Sequence, residues 1–292
     1  VTLVERLSLY EKLMRLDRPI GILLLLWPAL WALWLSAPGG RLRLDVLIIF
    51  VLGTVLMRSA GCVMNDYADR NFDRHVERTR ERPLTAGKVT TREALALAGV
   101  LSLLAFGLVL MLNTLTILLS FAALFLAASY PFTKRFFPLP QAYLGVAFGF
   151  SIPMAYAAQQ DTVPGVAWVL LLANVFWAIA YDTEYAMVDR NDDIKLGLRS
   201  SAILFGDWDV AAVMACHAVF IGLLAGVGYW LGLGVLFYVG LVLASGFMLA
   251  QYQLIHKRQR ERCFAAFLNN NWVGAVVFAG IAADRAYWVR LI

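Results

Sequence analysis

The chain has 292 residues, 61% of them hydrophobic and 15% charged, with a mean hydropathy of +0.70. Soluble domains carry about 25% charged residues, so this composition excludes a water-soluble fold and defines an integral membrane protein. The formal net charge of +5 would suit a nucleic-acid binder, but the basic residues are placed as membrane anchors, and no nucleic-acid partner is expected.

Residues Val1 to Asp17 mix Glu5, Arg6, Glu11, Lys12, Arg15 and Asp17 with leucines. That pattern is not a signal peptide; it predicts an amphipathic helix lying in the membrane interface. A spanning helix needs about 20 mostly apolar residues. Nine such stretches follow, at 19–37, 44–66, 94–112, 114–131, 139–159, 164–186, 209–230, 233–254 and 270–289. Asn113, Gln159-Gln160-Asp161 and Leu231-Gly232 barely interrupt the apolar run and predict tight antiparallel hairpins. The expected fold is all-α, a single polytopic domain over 1–292.

The basic residues assign the sides. Of the 25 lysines and arginines, 20 fall in the N-terminus and the alternate long loops, four on the opposite side, and one, Arg58, inside a span. By the positive-inside rule the basic side is cytoplasmic, with the N-terminus inside. Cys62, Cys216 and Cys263 lack metal-ligand spacing and read as packing residues. His75, His217 and His256 form no ligand pair, which argues against zinc or haem.

Two acidic clusters follow spans on the basic side, Asn65-Asp66-Tyr67-Ala68-Asp69-Arg70-Asn71-Phe72-Asp73 and a second from Tyr181 to Asp193. Carboxylates at the edge of a hydrocarbon phase are costly. Adding 116 to the numbering carries Asp66 to Asp182 and Asp73 to Asp189, so the clusters read as halves of one cation site in a duplicated chain, with pseudo-repeat halves at about 19–131 and 139–254. On a helix each set forms one acidic stripe within about 60°. Stacked like charges repel unless cations neutralise them. Oxygen-only donors without His or Cys favour Mg²⁺, which bridges a few carboxylates to substrate phosphates.

The surrounding cations fit a diphosphate. Arg78 and Arg82 follow the first cluster, Tyr130 and Lys134 close the fourth span, and Lys195 and Arg199 follow the second cluster. Arg58 lies seven residues before Asn65 and eleven before Asp69, so it faces the same pocket from deeper in the membrane. A charge there costs on the order of 3 kcal/mol. Its guanidinium suits a planar carboxylate, which implies a small acidic second substrate. Trp27, Trp31, Trp34, Phe132, Phe136, Phe137 and Trp177 read mainly as packing or interface aromatics.

These motifs, Asn65-Asp66-x-x-Asp69-x-x-x-Asp73, Arg78-Thr-x-x-Arg82-Pro-Leu, Tyr130-x-x-x-Lys134 and Asp189-x-x-x-Asp193, resemble the UbiA superfamily of intramembrane aromatic prenyltransferases. The strings Leu16-Asp-Arg-Pro-Ile-Gly21 and Tyr181-Asp-Thr-Glu-Tyr-Ala-Met-Val-Asp-Arg190 resemble its 4-hydroxybenzoate branch, with Glu184 a variation. The resemblance implies nine helices around a central cavity with a cytoplasmic cap, in a bacterial inner membrane. It implies that Asn65, Asp69, Asp73, Asp189 and Asp193 hold Mg²⁺ and diphosphate. Arg78, Arg82, Tyr130 and Lys134 would contact diphosphate and Arg58 the acceptor carboxylate; Asp66, Asp182 and Arg199 are also expected at the substrate site. The implied reaction transfers a polyprenyl group from polyprenyl diphosphate to 4-hydroxybenzoate. A sibling prenyltransferase acting on another aromatic acceptor, or on haem, is the nearer alternative; an organic-anion secondary transporter is the rival from another class, but its charges belong near the bilayer centre on broken helices.

Overall fold

The computed structural model describes residues 2–71, 74, 79–133 and 135–291, the last five by backbone alone. Its described elements are all α-helical apart from short 3₁₀ turns. They are α1 (Leu3–Leu13), α2 (Ile20–Ser36), α3 (Leu44–Asp69), α4 (Thr91–Val109), α5 (Thr114–Thr133), α6 (Pro140–Gly149), α7 (Ser151–Gln160), α8 (Gly165–Leu196), α9 (Ser201–Phe205), α10 (Asp209–Trp230), α11 (Val235–Ile255) and α12 (Arg260–Leu291). Among the described residues, seven helices are long and apolar enough to cross a membrane, and α2 is a shorter apolar one.

Local sequence explains several boundaries. Thr2 with Glu5, and Thr90 with Glu93, close capping boxes at the starts of α1 and α4. Helix α8 ends at Gly197, whose left-handed φ of 66 lets its N–H return to the Asp193 and Ile194 carbonyls. The fifth expected span, 139–159, is two helices rather than one. Pro153 has no N–H to give the Gly149 carbonyl, and Asn174 of α8 donates to the Gly145 carbonyl at 2.9 Å. Both remove rungs from the helical ladder where α6 gives way to α7.

Polar contacts sort the helix ends to two poles. At one, Arg135 donates to the Ala68 carbonyl, Arg199 to the Phe136 carbonyl and Arg258 to Asp209. At the other, Asn113 donates to the Ala157 carbonyl, Gln160 to the Ser36 carbonyl and the Gly234 amide to Asp284. Consecutive apolar helices therefore alternate in direction, with α6 and α7 together making one traverse.

The core between α2, α8, α10 and α12 is aromatic. Trp31 and Trp177 are fully buried, 5.1 Å apart, and Phe220 stacks on Trp177 at 5.7 Å. Their indoles are satisfied on α12: Trp31 donates to the Gly274 carbonyl and Trp177 to Asn270, whose amide donates to Glu184. In a membrane interior such bonds tie helices together because no water competes. This filling shapes the interior. The main cavity draws its lining from α2 to α7, so it lies within one half of the bundle rather than at its centre.

Candidate active site

The cavity encloses about 360 Å³ and is almost wholly apolar, with Phe50, Met57, Phe106 and Phe121 among its walls. Its polar groups include Arg58 and Asn65 on α3 and Tyr130 on α5. The period of α3 explains the alignment: Arg58 and Asn65 are two turns apart on one face. Arg58 has no ion pair among the described residues. Its guanidinium lies over the Phe148 ring at 5.4 Å, and its Nε is buried without a hydrogen-bond partner.

Above the cavity, the charged pole gathers both acidic clusters. Asp182 is half-buried on α8, and it, Arg58 and Asp69 all act electrostatically on the Tyr130 hydroxyl; Asp182 and Arg58 also act on Tyr181. Tyr181 was not singled out by sequence, although it opens the second acidic string. The second cluster stays helical throughout, as its spacing requires, so Asp182, Asp189 and Asp193 share a stripe. The first does not. Helix α3 stops at Asp69, so the expected helical stripe is cut short there, and Asp73 lies outside the described residues with Arg78 and Lys134.

Asp66 is almost fully buried, and its Oδ1 accepts from Arg15 at 2.9 Å and Arg82 at 3.0 Å. Arg15 gave no sequence signal. It sits between α1 and α2 with a left-handed φ of 58, which turns its side chain inward onto Asp66. Burial lowers the Arg15 guanidinium from its ordinary value, and Asp66 opposes that shift. Arg82 is thereby held by the Asp66 carboxylate. Arg199 is exposed and donates to the Phe136 carbonyl at 2.6 Å.

A second buried carboxylate, Asp209, accepts from Arg258 and Arg190. Arg258 too is left-handed, with φ 54, and its hydrogen bond to Asp209 raises its guanidinium above the ordinary value. Asp189 and Asp192 face Arg260 at 3.9 and 3.2 Å. Among the described residues no three His, Cys, Asp or Glu side chains converge on one point. The donors near the cavity are all oxygens and few, a set that fits Mg²⁺, which keeps waters and takes its remaining ligands from phosphate.

An oily cavity with one arginine, opening beneath acidic and basic helix ends, defines a membrane protein for an amphiphile with a charged head and an apolar tail. The model of the UbiA prenyltransferase family matches residues 25–279, and the chain belongs to that family. It is 66% identical over 290 residues to the 4-hydroxybenzoate octaprenyltransferase of Nitrosospira multiformis, covering 99% of each chain. It is 68% identical over 283 residues to that of Dechloromonas aromatica, covering 97% and 95%. The apo structure of a UbiA homolog from Aeropyrum pernix K1 superposes with a TM-score of 0.79 at 30% identity, over 90% of this chain and 97% of that one. A UbiA homolog from Archaeoglobus fulgidus bound to GPP and Mg²⁺ shares the fold, with a TM-score of 0.69 at 19% identity over 94% and 99%.

Proposed function

We propose that this chain is a Mg²⁺-dependent aromatic prenyltransferase that moves a polyprenyl group from polyprenyl diphosphate to the ring carbon of 4-hydroxybenzoate ortho to its hydroxyl. The product is 3-polyprenyl-4-hydroxybenzoate, with pyrophosphate released, a step of ubiquinone biosynthesis. The observation that carries this reading is Arg58, a cation in an apolar cavity with no carboxylate partner among the described residues. A lone guanidinium in such a place is unfavourable unless a ligand anion meets it. The acceptor carboxylate fills that role, and a transporter's midplane ion sites are not what these helix-end clusters resemble.

The diphosphate head lies at the charged pole. Asn65, Asp69 and Asp73 from the first cluster and Asp189 and Asp193 from the second would hold Mg²⁺, which when bound neutralises charge on the departing pyrophosphate. Arg78, Arg82, Tyr130 and Lys134 hold the same head directly, and the Arg15–Asp66 pair keeps Arg82 aimed at it. The allylic C–O bond breaks and its electron pair leaves with pyrophosphate. The ring's ortho carbon attacks the allylic carbon, and the ring proton then goes to a base. The cavity's apolar walls exclude water that would quench the cation. They also receive the first isoprene units, while α4 and α5, loosely packed and lining the cavity together, leave the tail a way into lipid.

In this reading the bundle has nine traverses, α6 with α7 counting as one, and the segment after α3 with the α5–α6 and α8–α9 connections caps the site. The charged pole faces the cytoplasm of a bacterial inner membrane, N-terminus inside. The halves 19–131 and 139–254 act as one domain. The test is to incubate purified protein with Mg²⁺, a polyprenyl diphosphate and 4-hydroxybenzoate and to detect prenylated product. Arg58→Ala is expected to raise the 4-hydroxybenzoate KM about tenfold or more, the loss of a charge-assisted pair, with the diphosphate KM little changed. No product from the unaltered protein, or equal effects on both KM values, would sink this reading.

A further inference from the structure

Gly21 stands in the first turn of α2 and is buried. A methyl group built there would fall 2.4 Å from Arg58 Nη2, 2.5 Å from its Nε and 2.8 Å from its Cζ. It lies nearer the two nitrogens than the carbon between them, so the guanidinium meets α2 edge-on, along its Nε–Nη2 side. We propose that Gly21 is a positioning residue for the acceptor: its missing side chain is the seat of the Arg58 guanidinium, and through it of the substrate carboxylate. This rests on the reading of Arg58 given above.

Three observations combine. The Nε edge is closed by the α2 backbone, which is why Nε is buried and without a partner. One face is covered by Phe148 at 5.4 Å. What remains toward the cavity is the outer edge carrying the two terminal nitrogens, the side a planar carboxylate grips in bidentate fashion. The seat also decides a competition. Asp69 lies eleven residues along α3, and a long arginine with about 2 kcal/mol of rotamer freedom would otherwise be drawn toward the acidic pole. Edge contact with Gly21 holds it down in the cavity instead.

The helix end adds a reason for an anion. No side chain caps the first turn of α2; the Pro19 carbonyl takes the Ile22 and Leu23 N–H groups, and the helix end still places partial positive charge next to the guanidinium. Two positive features brought together favour a carboxylate at the outer edge of the guanidinium. The ring it belongs to is then held at a fixed depth below the diphosphate.

Ordinary contact begins near 3.4 Å, so any side chain at position 21 moves the guanidinium by about 1 Å, a shift that can cost up to about a hundredfold in a positioned reaction. The experiment compares the full-length protein with Gly21→Ala, Arg58→Ala, Arg58→Lys and the two double variants, measuring both KM values. Gly21→Ala is expected to raise the 4-hydroxybenzoate KM about tenfold while leaving the polyprenyl diphosphate KM within about twofold. In the Arg58→Lys background, which lacks the Nε–Nη2 edge, the same glycine change is expected to add less than about twofold.

An unchanged acceptor KM in Gly21→Ala beside a raised one in Arg58→Ala overturns the role of Gly21 alone. An unchanged acceptor KM in Arg58→Ala overturns the reading of Arg58, and this proposal with it. Equal penalties from the glycine change in both backgrounds also overturn it. Should Gly21→Ala fail to fold, thermal melting of the double variant with Arg58→Ala decides: recovery supports the clash, and continued failure makes Gly21 a mere packing residue.

Discussion

The two acidic helix ends share composition and register yet are built differently. At the end of α3 the helix stops at Asp69, and Asp66 is sealed beneath Arg15 and Arg82. At the end of α8 the helix runs on to Leu196, and Asp189, Asp192 and Asp193 stay half-buried, with Arg260 reaching toward the cluster from α12 and Lys195 toward Asp192. Asp66 with its two guanidiniums forms a buried ion cluster that ties α3 to the segments before α2 and after α3. The carboxylates of α8 instead lie in one stripe along a continuous helix. Equal register therefore does not mean equal work: Asp66 fastens, whereas its counterpart Asp182 faces the cavity tyrosines.

That contrast can be broken experimentally. The largest effects belong to the proposed metal donors. Asp69→Ala and Asp189→Ala are each expected to lower kcat/KM by more than about a hundredfold; chelation by EDTA should do likewise and added Mg²⁺ reverse it, as followed by prenylated product. Next comes Asp66→Asn, which leaves two arginines facing a neutral amide. Removing one partner of a buried ion pair costs about 3–5 kcal/mol, so a lowered Tm together with a raised diphosphate KM is expected.

Asp182→Asn provides the matching half: activity should fall while Tm holds. A stable Asp66→Asn beside an unstable Asp182→Asn would reverse the assignments. Asp209→Asn is expected to lower Tm with kcat/KM per folded protein within about twofold, since Arg258 fastens the α11–α12 connection and neither of its arginines lines the cavity. The smallest effect belongs to Arg199→Ala. Its exposed side chain gives up one bond to the Phe136 carbonyl, worth about 1 kcal/mol, and a change in the diphosphate KM beyond about fivefold would place it at the substrate site, as the sequence reading expects.

Much of this was legible before any coordinates. Long apolar runs mark the traverses because hydrocarbon demands them, and Arg58 is conspicuous because a lone charge there is so unfavourable. The period of α3 already puts Arg58 and Asn65 on one wall. Other features depend on partners far along the chain. Glu184 reads as a mere variant until Asn270 is found hydrogen-bonded to it, 86 residues away. Arg15 is one basic residue among several in an interfacial helix until its left-handed backbone turns it onto Asp66. Pro153 is a different case: its missing N–H was readable, and it explains the divided fifth traverse. The end of α3 at Asp69 carries no glycine or proline to announce it.

The size of the cavity has a consequence for the lipid it serves. About 360 Å³ stands at the low end for pockets that enclose a drug-sized ligand. A long polyprenyl chain exceeds it, so only the units next to the diphosphate are read by protein and the remainder dissolves in the bilayer. A pocket of this size holds only the head-proximal units of such a chain, whatever its full length.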